Sequence, residues 1–346
     1  MFFFSIYFII FLWLATLSLL SITVEAKKYT PFLLFISFLI LVLLAGLRAH
    51  SPDQPSYNRI FMYSLSIFEI IEYGNNFDDF PWIQKGFLAL YSLIKTFTNS
   101  VVVMSFVIAT LTIGTVTYSV NRLSPYPVVS MLVYFSWFYY FNLGSLRHSI
   151  ISAFLLLLAV FIFNSKYIKS FILILISGGM HSVAYTSIVL FFGRFKIKKY
   201  LYIFTLIISI VIAISGGIVY LGLSKFAYLL PELTQIKIRR YIGFGIFSIS
   251  NPIISGLTVK SVFLIGITIF NMDILYKKFD AFPIILFGYA VSVFTFFLLI
   301  DFKIIADRTS HFYSIFEIIL IPMLLSIIRK EDRLFAFFIL GCFLSY

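Results

Sequence analysis

The residues of this chain that can do polar chemistry fall in five short clusters. Arg48, Asp53 and Tyr57 stand close together, around Pro52 and Pro55. Arg147-His148 precedes an apolar run, and Ser177-Gly178-Gly179-Met180-His181-Ser182 interrupts another. Lys237-Ile238-Arg239-Arg240-Tyr241 forms a basic patch, and Asp307-Arg308-Thr309-Ser310-His311-Phe312-Tyr313 leads into a stretch holding Glu317 and Pro322. A guanidinium is a planar fork that grips phosphate oxygens two at a time and stays charged when half-buried. Arg48, Arg147 and Arg308 are therefore candidate phosphate ligands, followed by Arg239 and Arg240, with Tyr57, His148, His311 and Tyr313 in support. Asp53, His181 and Asp307 are candidate bases, able to take a proton from a hydroxyl within hydrogen-bond reach.

Each also has a plainer reading. Arg48 and Arg308 can snorkel to lipid headgroups, and Arg147-His148 can cap or anchor a helix. His181 can be a satisfied core histidine, Arg239-Arg240 a solvated pair, and Asp78-Asp79 a solvated loop. Glu317 stands in an apolar run, where ionisable groups are functional candidates, or pairs with a neighbouring arginine. The single cysteine, Cys342, excludes a disulfide framework and a cysteine zinc site. No Asp-x-Asp, Gly-x-x-x-x-Gly-Lys or His-Glu-x-x-His pattern occurs, so neither metal nor cofactor is expected.

The elements that must position these residues are membrane spans. Of 346 residues, 61% are hydrophobic and only 12% charged, and the mean hydropathy is +1.05. So few charges cannot clothe a water-facing surface, which excludes a soluble domain. Lys+Arg 26 against Asp+Glu 14 gives +12, an excess that in a membrane chain marks cytoplasmic loops rather than nucleic-acid binding. Apolar runs at 2–24, 31–46, 101–120, 128–143, 150–163, 200–223, 257–276, 282–300, 312–328 and 334–346 read as spans. Residues 82–97 read as a short helix interrupted by Lys85 and Lys95, and 168–192 as a helix broken at Gly178, Gly179 and His181. The expectation is an all-α polytopic bundle of about ten to twelve spans, one integral domain over 1–346, with both termini outside and no internal repeat.

Lys27-Lys28, Arg194 to Lys199, Lys277-Lys278 and Arg329 to Arg333 read as cytoplasmic. They put residues 47–81, 224–255 and 301–310 on the outer face as loops, with 46–57 stiff and non-helical at its prolines. Two arrangements of the middle close the count. The first has Arg147 outside with Arg122, Lys166 and Lys169 inside, and the second exchanges them. The first keeps more basic residues inside. Arginines gathered at the outer rim suit a ligand with an apolar tail in lipid and phosphate at headgroup level, which a polyprenyl diphosphate provides.

With these residues the chain resembles the EpsG-like group of O-antigen and capsule polymerases, commonly called Wzy. The family shows an Arg, an Asp and a Tyr in the first outer loop, here Arg48, Asp53 and Tyr57. It shows Arg-Gln before an apolar helix, here Arg147-His148, and a His-Tyr-Ser-like group in a broken helix, here His181-Ser182. A late Arg-x-x-x-x-Tyr before a span with a proline is matched by Arg308, Tyr313 and Pro322. Where the family leads into a short helix with a Glu-Pro-Gly-Phe-like group, this chain has Gln84-Lys85-Gly86-Phe87.

The resemblance implies a GT-C-like membrane glycosyltransferase of the bacterial inner membrane with its active site on the outer, periplasmic side. It would use a glycan on undecaprenyl diphosphate as donor and a free-end hydroxyl of another lipid-linked repeat unit as acceptor. The implied partners are those undecaprenyl-diphosphate-linked oligosaccharides, membrane lipids, a chain-length regulator and a flippase, with no nucleic acid. The competing readings are an O-antigen ligase, a flippase, which would show repeat symmetry and charge along a path, and a membrane acyltransferase with His181 as a lone histidine.

Overall fold

The computed structural model describes residues 2–22, 28–47, 53–74, 76, 79, 83–139, 143–215, 251–329 and 331–344, and among them there is helix and no strand. Two compact units divide the chain. The first comprises Met1–Phe191 with Glu317–Tyr346, and the second Phe192–Phe316.

In the first unit, α1 (Phe2–Ile22) and α2 (Thr30–Gly46) are long apolar helices. α3 (Gln54–Tyr63) and α4 (Ile67–Tyr73) follow, then α5 (Lys85–Lys95), α6 (Val101–Leu123), α7 (Pro127–Tyr134), α8 (Leu146–Phe163) and α9 (Tyr167–Met180). α7 runs on as a π-helical turn, Phe135–Tyr139. After His181 the chain continues as a 3-10 helix, Ser182–Arg194, and crosses into the second unit. That unit holds α10 (Lys199–Ile214), α11 (Gly256–Phe270), α12 (Met272–Lys278), α13 (Phe282–Leu298) and α14 (Lys303–Ser314). The chain then returns to the first unit as α15 (Glu317–Ile327) and α16 (Arg333–Leu344).

These elements carry an inverted surface. Ile9, Phe32 and Phe204 are each at least 60% exposed, whereas Ser18, Ser37 and Ser119 are fully buried. Lipid, as apolar as leucine, takes the first set, and small hydroxyl residues let helices approach one another. The buried hydroxyls spend themselves on backbone carbonyls, as Ser37 does on Leu33 at 2.9 Å. Among the described residues α6 and α8 are each long and apolar enough to cross a membrane alone. Two helix pairs with short breaks, α11 with α12 and α14 with α15, qualify as pairs, and seven shorter apolar helices accompany them. The chain is therefore a polytopic helical membrane bundle.

Three local readings change. The stretch 46–57 is helical from Gln54, because Pro55 occupies the first turn, where its missing N–H costs nothing. Residues 301–310 are helical from Lys303. The break in 168–192 falls at His181, with φ −157° and ψ 123°, and Gly178 and Gly179 lie inside the last turn of α9. Those glycines serve packing. A Cβ on Gly178 would meet the Tyr185 ring at 2.2 Å, and one on Gly86 would meet the Gly179 carbonyl at 2.6 Å.

In the second unit α13 packs against α10, α11 and α14. A Cβ on Gly288 would lie 2.1 Å from the Phe316 ring. Ser292 donates to the Ser310 carbonyl at 2.7 Å, which fixes the turn of α14 that follows Asp307.

Candidate functional site

α5 is 11 residues long, about 16 Å at 1.5 Å per residue, roughly half of a hydrocarbon core. It starts where α9 ends, because Gly86 and Gly179 let the two backbones touch. Tyr57 of α3 packs edge-on against Phe87, ring centroids 5.9 Å apart, and Phe87 meets Tyr91 at a tilt of 50° with centroids 4.5 Å apart. The first segment is thereby joined to the first turn of α5.

Gln84, the N-cap of α5, makes no side-chain cap bond. Its Oε1 instead accepts from Arg147 Nη1 at 2.6 Å. His148, next in sequence and 2% exposed, meets the His181 ring edge-on with centroids 6.0 Å apart. At His181 the Nδ1 accepts from the Val183 N–H at 3.3 Å. That bond assigns Nδ1 as the bare nitrogen of the neutral ring, leaving Nε2 to carry the proton. Residues far apart in the chain, at 57, 84–87, 147–148 and 179–181, are thus gathered in one unit.

The depth of this cluster follows from one contact. Ser149 Oγ lies 3.5 Å from Thr112 Oγ1, and Thr112 is the midpoint of the 23-residue α6. At about 34 Å, α6 spans a whole core, so Arg147, two residues before Ser149, lies near mid-length of that helix. The sequence reading placed Arg147 at a rim; the helix it opens starts deep in the bundle. A small pocket of about 20 Å³, room for about one water, adjoins it, lined by Ala45, Ile108, Thr112, Tyr134, Tyr139 and Ser149. The Tyr139 hydroxyl donates to the Leu41 carbonyl at 2.8 Å and fixes the π-helical turn against α2.

Helix dipoles and a guanidinium meet in the cluster. The N-termini of α5 and α8 carry the positive ends of their helix dipoles, and the Arg147 guanidinium stands between them. Its described partner is the Gln84 side-chain amide. An oxyanion is the natural guest for that combination.

Arg333 ties two turns together at one end of the first unit. It donates to the Ile328 carbonyl at 3.0 Å, the Ser326 carbonyl at 3.0 Å and the Tyr126 hydroxyl at 2.9 Å. Tyr126 is four residues beyond Arg122, so the α6–α7 turn and the basic Arg329 to Arg333 turn share one end. α5 runs from the cluster toward the opposite end, where α6 begins.

The other expected residues are distributed as follows. Asp53 is exposed at the N-cap of α3, where its carbonyl accepts from the Tyr57 N–H at 3.1 Å and its carboxylate makes no cap bond. Arg48, Arg239 and Arg240 lie outside the described residues. Asp307 and Arg308 belong to the second unit. There Asp307 Oδ1 accepts from Asn251 Nδ2 at 2.8 Å, while Asn251 N–H donates to the Ile300 carbonyl at 2.9 Å. His311 follows Asp307 by one helical turn on the same face and has Lys260 of α11 as a charged neighbour. Arg308 is exposed, and Tyr313 is buried against Phe312. Glu317 is 1% exposed at the start of α15. Of the arginine set, the described cluster therefore holds Arg147.

Sequence reasoning missed Asn251 and Lys260, and saw Gln84 only as a departure from a motif. Lys260, a cation inside an apolar helix, carried a usable signal. Asn251 carried none.

A family model described as the EpsG family matches residues 31–346. No curated protein matches the chain, and no solved structure does.

Proposed function

This chain belongs to the EpsG family, a Wzy-like polymerase family, and on that footing we propose the reaction it performs. Membership makes it a polysaccharide polymerase-like membrane glycosyltransferase. The finer reading is a polymerase of O-antigen or capsule repeat units. It transfers a glycan from undecaprenyl diphosphate to the free-end hydroxyl of another lipid-linked unit, at the outer face of the bacterial inner membrane. The observation that carries this reading is the cluster of Gln84, Arg147, His148 and His181 at broken helix ends, deep in the bundle. A lipid diphosphate brings its own apolar tail, and a recessed guanidinium meets its phosphates without a metal-binding motif.

The acceptor oxygen attacks the anomeric carbon and forms the new glycosidic bond. The bond from that carbon to the phosphate oxygen breaks, and its electron pair leaves with the diphosphate. Negative charge therefore grows on the leaving oxygen. Arg147 and the two helix N-termini are preorganised to stabilise it, and one such donor accounts for about 10²–10³ in rate. His181, its Nδ1 accepting from the Val183 N–H, is in this reading a donor through Nε2, in place of the base role its sequence context offers. The hydroxyl proton goes to a carboxylate, for which Asp53 is the candidate in this unit; Asp307 stays a candidate from the sequence alone. Arg48, Arg308, Arg239 and Arg240 stay candidate phosphate ligands from the sequence alone.

The family assignment and the basic end that Arg333 ties together support outward opening under the positive-inside rule. The test is deletion of the gene followed by gel analysis of surface polysaccharide. The expected result is a ladder collapsed to single-repeat bands, restored by the intact gene. An unchanged ladder overturns the polymerase reading. Long polymer stranded on the lipid carrier indicates ligase activity instead.

A further inference from the structure

We propose that the turn of residues 194–199 and the end of α12 form one binding site for an anionic phospholipid headgroup, its phosphate met by lysines that lie over aromatic rings. This goes beyond the proposed reaction and does not depend on it. The two stretches are 79 residues apart, counted from Ile197 to Tyr276, and each alone reads as an ordinary basic loop. The second unit brings them together. The Tyr276 hydroxyl donates to the Ile197 carbonyl at 3.2 Å, and the Lys196 ammonium lies over the Tyr276 ring, 6.0 Å from its centroid. Lys199, at the start of α10, lies 5.7 Å over Phe270 at the end of α11, and Lys198 lies 5.9 Å over Tyr200. Beyond Tyr276, Lys278 lies 5.6 Å over Phe279. The platform is anchored to α13 at two points. Tyr276 meets Phe282 edge-on with centroids 5.0 Å apart, and a Cβ on Gly193 would come within 3.1 Å of Ile284 Cα.

Charge and position together select the occupant. Residues 194–200 and 270–280 contain six cations against two acids, Asp273 and Asp280. An aromatic face attracts an ammonium without neutralising it, so a lysine held this way still offers its charge to a phosphate. The lysines also cap one end of an apolar band. Phe204 and Ile207 of α10 and Phe263 and Phe270 of α11 are each at least 55% exposed, and Lys199 opens the same helix as the first two. Where such a band ends, headgroups begin, and basic residues there attract anionic ones. α12 turns 68° from α11 at this end and exposes Lys277 and Lys278. A soluble polyanion would use the lysines alone, whereas a phospholipid also lays its acyl chains along the exposed rings.

The test places a reporter in the site of the full chain. Phe270→Trp keeps a ring under Lys199, and the three native tryptophans give a background measured in the parent protein. The protein is reconstituted in mixed vesicles of phosphatidylglycerol and phosphatidylcholine, with bromine on the acyl chains of one lipid at a time. Quenching of the added tryptophan is expected to show at least a fivefold preference for phosphatidylglycerol, about the worth of one lysine beside anionic headgroups. Lys196→Gln with Lys199→Gln should bring that preference close to unity, and arginine at both positions should keep it. Lys303→Glu changes the charge by the same two units beyond the far end of α13 and should also keep it. Equal quenching by the two lipids in the reporter protein, which needs no lysine variant, would assign the basic surface to a soluble acidic partner and overturn the inference. Equal loss from Lys303→Glu and from the double glutamine variant would reduce the site to overall charge and overturn it too.

Discussion

Replacing Gly86 with alanine tests how the site is held in register. The added Cβ would sit 2.6 Å from the carbonyl carbon and oxygen of Gly179 and 3.1 Å from Met180 N, where ordinary contact begins at 3.4 Å. All three atoms are backbone, so no side chain can rotate aside, and the start of α5 must retreat by about 1 Å, the shortfall from ordinary contact. Carried to Gln84, that shift stretches its 2.6 Å bond to Arg147 to about 3.6 Å, beyond hydrogen-bond range. Overpacking of this kind costs about 1–3 kcal/mol of stability, and a 1 Å misplacement at a reacting centre costs about 10²-fold in rate.

Gly179→Ala is the matched control. Its Cβ meets only Gly86 Cα, at 4.0 Å, and an alanine inside a helix gains up to about 1 kcal/mol over glycine. In a deletion strain carrying each variant at equal protein level, Gly86→Ala should shorten or abolish the polysaccharide ladder. Gly179→Ala should preserve it, and scanning fluorimetry of the purified proteins should order their melting temperatures the same way. A wild-type ladder from Gly86→Ala, or equal damage from Gly179→Ala, would refute the close backbone crossing as the element that sets the site.

Other outcomes follow from the same contacts. His181→Gln, whose amide N–H reaches toward the Nε2 position, should retain polymerisation within about tenfold, while His181→Asn should lose about 10²–10³, the worth of one transition-state donor; initial rates in membranes separate them. Arg333→Ala removes a charged donor from two carbonyls and a hydroxyl. It should cost about 2–3 kcal/mol, visible as a lower melting temperature, with polymer formed per folded molecule unchanged because Arg333 lies at the end opposite to the α6 N-terminus. Arg308→Ala should abolish polymer while protein remains in the membrane, as immunoblotting of membranes against the ladder would reveal; normal-length polysaccharide would remove Arg308 from the donor site.

Much of the frame was legible because lipid imposes strong rules on composition. Long apolar runs give α1, α2, α6 and α13 nearly at their observed bounds, since a backbone in hydrocarbon must bond to itself. The broken stretch around His181 was legible for the same reason, although the glycines pointed two residues too early: they make room for Tyr185 and α5 rather than form the turn. The helices α3 and α4 were hidden behind polar composition and prolines, whose tolerance in a first turn matches their use in loops. What no pattern could supply was depth. That Arg147 lies beside the centre of α6 depends on Ser149 meeting Thr112, a tertiary contact between residues with nothing distinctive about either.

That depth has a chemical corollary. An activated sugar can be captured by any oxygen nucleophile, and the commonest one in a cell envelope is the solvent itself. On the proposed reaction, a guanidinium recessed beside the centre of α6 would oblige the glycosyl group to react where few solvent molecules follow. Each misdirected transfer would release a finished chain and end its growth. The recess therefore bears on the length a polymer can reach as much as on the rate at which units are added, and mutations that widen it should yield shorter chains before they yield slower ones.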